Sequence, residues 1–166
     1  MICGHGMPNF YAIEIAKGKK CEPSWKNLVF SGILDEFKVC KTIDDYYLDE
    51  DLDGNPLVEE CIKNSFVSYY TTAESMELFD ALYSNKYGLT DKFLAFWEVI
   101  AERFSKNTNI IGFNPINEPF VGNFMKNIML LYPKHFDREH LTPLYASVYK
   151  ILQKHDPQSI LQFETS

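Results

Sequence analysis

The stretch Asn109-Ile110-Ile111-Gly112-Phe113-Asn114-Pro115-Ile116-Asn117-Glu118-Pro119-Phe120 constrains this chain more than any other. It opens with a short β-branched, apolar run preceded by polar residues, the pattern of a buried strand. It closes on Asn117-Glu118-Pro119. Proline has no N–H for a sheet ladder and disfavours helix in the residue before it, so the strand is expected to end near Glu118. Two polar side chains then stand at the C-terminal edge of a sheet. Parallel α/β folds place their catalytic groups at that edge.

The flanking pattern is helical. Thr71-Thr72-Ala73-Glu74 has the spacing of a capping box, and Met76, Phe79, Leu82 and Tyr83 supply an apolar stripe ending at residues 85–88. Thr90 is then expected to cap a second helix, with Asp91 in its positive first turn. Phe93, Phe96, Trp97, Ile100, Ala101 and Phe104 recur at helical spacing, as a core-facing stripe does. Beyond the organising strand, Asp137 is suited to cap a helix with Leu144, Val148, Ile151 and Leu152 inside. Lys154 and His155 fall in its last turn, and Pro157 ends it. Residues 159–164 read as the next strand. Helix, strand, loop, helix, strand is the repeat of an α/β barrel.

Gly112-Phe113-Asn114-Pro115-Ile116-Asn117-Glu118-Pro119 resembles the strand-four signature of glycoside hydrolase family 5 and its clan. The continuation through Gly122-Asn123, Lys126-Asn127 and Leu130-Leu131-Tyr132-Pro133 is similar to the endoglycoceramidase and glucosylceramidase-like branch, and Gly4-His5-Gly6-Met7-Pro8 resembles that branch's loop after barrel strand three. The resemblance implies an α/β TIM (β/α)8 barrel. Such a barrel usually takes about 250 residues, so a chain of 166 is expected to be a fragment, from the loop after strand three through strand five. Residues 1–70 would form a loop-rich excursion and residues 71–166 the helix-strand-helix-strand barrel core.

The resemblance also implies the chemistry. A retaining glycosidase needs two carboxyl groups about 5–5.5 Å apart, one as nucleophile and one as acid, then base. Glu118 takes the acid/base role and Asn117 contacts the sugar 2-hydroxyl. Glu164, at the next strand end, and His5 are expected to line the cleft or contact substrate. The family's nucleophile is a glutamate on strand seven and lies outside this chain. The implied substrate is a glycolipid or oligosaccharide, with β-glucosyl linkages of glycosphingolipids foremost; no cofactor and no metal are implied. The apolar loop 120–132 has two readings: a wall for a lipid aglycone, with peripheral contact to membrane lipid, or a segment folded into the core.

Composition bounds the remaining classes. At 46% hydrophobic and 15% aromatic residues the chain has material for a core. Its net charge of −7, with no basic run, argues against nucleic acid as a partner. No signal peptide is expected at the sequence's start, although the resemblance implies a secreted or lumenal full-length protein. Cys3, Cys21, Cys40 and Cys61 allow three pairings, and sequence does not choose among them. The aromatics of residues 17–56, Trp25 among them, indicate a packed but irregular segment.

Two other readings stand beside the hydrolase. One is a catalytically inactive sugar- or lipid-binding relative, suggested by the missing second carboxylate. The other is a calcium loop, because Asp49, Asp51, Asp53, Gly54 and Glu60 match the spacing D-x-[DN]-x-[DN]-G-x5-E. Pro56 and the lack of a second loop weigh against calcium.

Overall fold

The computed structural model describes Cys3, Tyr11, Ile15 and residues 41–166. His5 and the turn at residues 4–8 lie outside the described residues, as do Cys21, Cys40, Trp25, Phe30 and Phe37. The chain divides into two compact units: Met1–Asp80 with Gly122–Ile128, and Ala81–Val121 with Met129–Ser166.

In the first unit, a 3-10 turn at Ile43–Tyr46 precedes two short helices, α1 (Val58–Cys61) and α2 (Phe66–Tyr70). A longer helix, α3 (Ala73–Tyr83), begins here and continues into the second unit. Tyr69 is fully buried; its phenol donates to the Cys61 carbonyl at 2.9 Å, and its ring lies 5.0 Å from that of Tyr46. Cys61 is disulfide-bonded to Cys3.

The start of α3 departs from the expected capping box. Thr72, not Thr71, serves as the cap, its hydroxyl accepting the Ser75 N–H at 3.3 Å. The Glu74 carboxylate accepts the Ile43 N–H at 3.0 Å. Burial raises the Glu74 carboxyl above its ordinary range, and the backbone donors act against that.

The acidic run around Asp51 is a backbone turn. Asp51 Oδ1 accepts the N–H groups of Asp53 at 2.9 Å and Asn55 at 2.8 Å, an Asx-type arrangement, while Glu60 pairs with Lys63 on the surface. Among the described residues no group of three or more His, Cys, Asp or Glu gathers as a metal site.

The second unit is built on α4 (Leu89–Phe104) and α5 (Thr142–His155), which pack together. Their shared core is Trp97, Ala101, Val148 and Leu152 with Phe113, whose ring meets Trp97 edge-on at 6.2 Å. Each fully buried large apolar side chain here is worth about 1.5–3 kcal/mol. The α4 stripe is narrower than expected: Phe96 and Phe104 are 58% and 39% exposed.

The caps differ here too. Gly88, in the left-handed region, precedes α4, and Asn85 holds Asp91 through Oδ1 to its N–H at 3.2 Å and Nδ2 to its carboxylate at 3.0 Å. Thr90 lies inside the helix and donates its hydroxyl to the Leu82 carbonyl. Asp137 opens a π-helical turn, Asp137–Leu141, and accepts the Ser166 N–H at 3.1 Å; Pro143 sits in the first turn of α5, where its missing N–H is harmless.

The two expected strands shrink to a single parallel bridge. Phe113 donates its N–H to the Ile160 carbonyl at 2.9 Å and accepts from the Gln162 N–H at 2.8 Å, pairing opposite Leu161. Among the described residues there is no longer strand. The reasons are local. A turn occupies residues 107–110, Ile111 is 84% exposed, and Pro115 removes the next donor on the same strand. A parallel pair with one partnered edge also lacks the neighbours that sustain longer ladders. The bridge itself is tight: a Cβ on Gly112 would stand 3.0 Å from the Ile160 carbonyl oxygen.

Candidate active site

The segment from Ile116 to Phe120 leaves the bridge as a turn whose backbone is held at alternate residues. Tyr145, buried on α5, donates its phenol to the Ile116 carbonyl at 3.1 Å. The Glu164 carboxylate accepts the Glu118 N–H through Oε2 at 2.9 Å. Tyr83, at the end of α3, donates its phenol to the Phe120 carbonyl at 2.9 Å. Pro119 is buried between the last two anchors in sequence, whereas the side chains of Asn117 and Glu118 face solvent.

Glu118 adopts φ +46°, the left-handed region that a non-glycine residue rarely enters. Such a conformation costs about 1–3 kcal/mol and persists only where its surroundings over-determine it. A hydrogen bond to a charged acceptor contributes about 1.5–3 kcal/mol, so the Glu164 contact is of the size needed to offset the strain.

Glu164 is itself held. Its Oε1 accepts from Asn114 Nδ2, and the Asn114 Oδ1 is buried without a hydrogen-bond partner among the described residues. Tyr145 touches the same end of the chain: its ring lies 4.7 Å from that of Phe163, and the Glu164 backbone amide acts on its phenol oxygen. Burial is the larger influence and raises the Tyr145 phenol above its ordinary range.

Of the residues singled out from sequence, Glu118 and Glu164 are brought together, through one's backbone and the other's carboxylate. Asn117 is beside them and exposed; His5 lies outside the described residues. Asn114, Tyr145 and Tyr83 were not read as site residues. For Tyr145 a signal existed, since a polar-tipped aromatic beside Leu144 on a buried helix face needs a hydrogen-bond partner.

The loop after the turn divides between the two readings given for it. Leu130 is buried, whereas Met129, Leu131 and Tyr132 are exposed. Earlier in the loop, Asn123 is buried, its Nδ2 donating to Glu77 Oε1 at 2.9 Å, and its Oδ1 accepts the Lys126 N–H at 3.1 Å.

The turn thus brings an exposed glutamate, the asparagine before it and a second carboxylate to one end of the parallel bridge. The chain belongs to glycosyl hydrolase family 5: that family's cellulase model matches residues 69–166, which include the whole turn. It is 37% identical over 111 residues to an endoglycoceramidase of Hydra vulgaris and 32% identical over 111 residues to one of Cyanea nozakii. Each match covers 67% of this chain and 22% of the relative, so the chain spans about a fifth of the length of these curated relatives. No solved structure matches it.

Proposed function

We propose that this chain carries the acid/base half of a retaining glycoside hydrolase acting on β-glucosyl linkages of glycosphingolipids. The observation that carries the reading is the exposed Glu118 on its braced turn, inside the segment matched by the family. Glu118 protonates the leaving oxygen and then deprotonates the attacking water, and Asn117 hydrogen-bonds the sugar 2-hydroxyl, a contact that strengthens in the transition state. The nucleophile is a glutamate elsewhere in the full-length protein. The chain supplies the barrel from the loop after strand three through strand five, and the parallel bridge between Phe113 and Leu161 supports neighbouring fourth and fifth strands.

The glycolipid preference is supported by the two endoglycoceramidase relatives and by the exposed Met129, Leu131 and Tyr132, an apolar surface suited to a ceramide tail. The Cys3–Cys61 disulfide supports a secreted or lumenal site of action.

The test is Glu118→Gln in the full-length protein. Turnover on a glycolipid should fall about 10²–10⁴-fold with the fold intact, and azide should restore turnover of a substrate with a good leaving group. Unchanged activity would sink the assignment.

A further inference from the structure

We infer that Glu164 is a positioning residue: its carboxylate grips the Glu118 N–H and the Asn114 side-chain amide together, and so sets the direction in which the Glu118 side chain projects. This rests on the acid/base reading of Glu118 and deepens it. Both carboxylate oxygens are engaged within the protein, Oε2 with Glu118 and Oε1 with Asn114. With a partner on each oxygen, the carboxylate is oriented from both sides, as a brace requires.

The geometry gives the brace a specific task. At φ +46° the Glu118 backbone is held in a conformation it would leave if released, and a turn relaxing to negative φ swings the side chain of that same residue. The carbonyls on either side, Ile116 and Phe120, are fixed by Tyr145 and Tyr83, so relaxation would be concentrated at residues 117–119. Glu164 is placed by its own neighbours. Asn114 lies one residue beyond Phe113 and Glu164 two beyond Gln162, and Phe113 and Gln162 are joined in the parallel bridge. The bridge register therefore delivers the carboxylate to the turn.

Misplacement of an acid/base group has a signature that general loosening of the fold lacks. Departure of a poor leaving group needs the proton from Glu118, whereas departure of a dinitrophenolate does not. In the full-length protein, Glu164→Ala should lower kcat/KM for an alkyl β-glucoside about tenfold to a hundredfold and leave kcat/KM for the dinitrophenyl β-glucoside near the wild-type value. Azide should raise kcat on the latter. Glu164→Gln keeps an acceptor for the Glu118 N–H and offers its amide to the Asn114 Oδ1, which has no partner among the described residues, so it should recover most of the loss. Asn114→Asp sets a like charge against Glu164 and should reproduce the leaving-group split even if the alanine variant fails to fold.

Glu118→Gln is the reference arm. If it shows the split and the Glu164 and Asn114 variants lose activity equally on both substrates, or raise KM with kcat unchanged, the positioning role is overturned and the acid/base reading stands. If Glu118→Gln shows no split, the acid/base reading fails, and the positioning role with it.

Discussion

Asp80 accepts the backbone N–H of Asn123 through Oδ1 at 2.8 Å, immediately beside Gly122, where an added Cβ would run into that same oxygen. Gly122 also stands at φ +85°. Helix α3 and the loop thus meet across that one carboxylate.

Gly122→Ala should therefore be destabilising twice over, by the left-handed backbone and by the displaced carboxylate, for a total of about 2–3 kcal/mol. Urea unfolding would measure it. In a cycle with Asp80→Ala the steric part should vanish and the backbone part remain, leaving a coupling of about 1 kcal/mol.

Glu77 and Asn123 are both buried and bonded to each other, and Lys126 reaches the same Glu77 oxygen from a largely exposed position. Glu77→Leu strands the buried Asn123 amide and should cost about 1–3 kcal/mol. Lys126→Ala leaves the buried Glu77 carboxylate its Asn123 donor and lets water take the place of the largely exposed ammonium, so it should cost less than Glu77→Leu. A reversed order of the two denaturation midpoints would contradict this account of the loop's anchor.

Tyr145→Phe removes the donor to Ile116 and should lower stability by about 1 kcal/mol at neutral pH. The phenol's raised folded value also has a pH consequence. A raised group binds its proton more tightly in the folded state, so its contribution is complete below the unfolded value of about 10 and is lost as pH rises through the folded one. The alkaline decline in unfolding free energy should be shallower in the variant.

Glu98 behaves oppositely. Lys154 and then His155, whose Nε2 lies 2.7 Å away, hold its carboxyl below the ordinary range. Its contribution is present above the unfolded carboxyl value of about 4.3 and is lost as pH falls through the lower folded one. Glu98→Gln should remove that contribution, lowering Tm near neutrality and leaving it little changed in acid, so that the variant shows a smaller fall in Tm on acidification.

The helices were legible because their cores are written at helical spacing: Trp97, Ala101, Val148 and Leu152 are buried as their period requires. The caps were legible only in kind. Thr72 and Asn85 compete locally with Thr71 and Thr90 for the same backbone donors, and tertiary contacts such as Glu74 to Ile43 decide between them. Strand length was not legible, since an apolar run states what a segment prefers to bury and not how many neighbours pair with it. Asn117 and Glu118 announced themselves through the proline that follows. The brace did not, because Asn114, Tyr145 and Glu164 converge only once two distant segments share a register.

The Cys3–Cys61 bond spans a sequence separation of 58 residues. A protease cutting anywhere within that span would produce two polypeptides that still travel as one particle, separating only under a reductant. For this end of the molecule, covalent integrity is a property of the surrounding redox potential as much as of the peptide backbone.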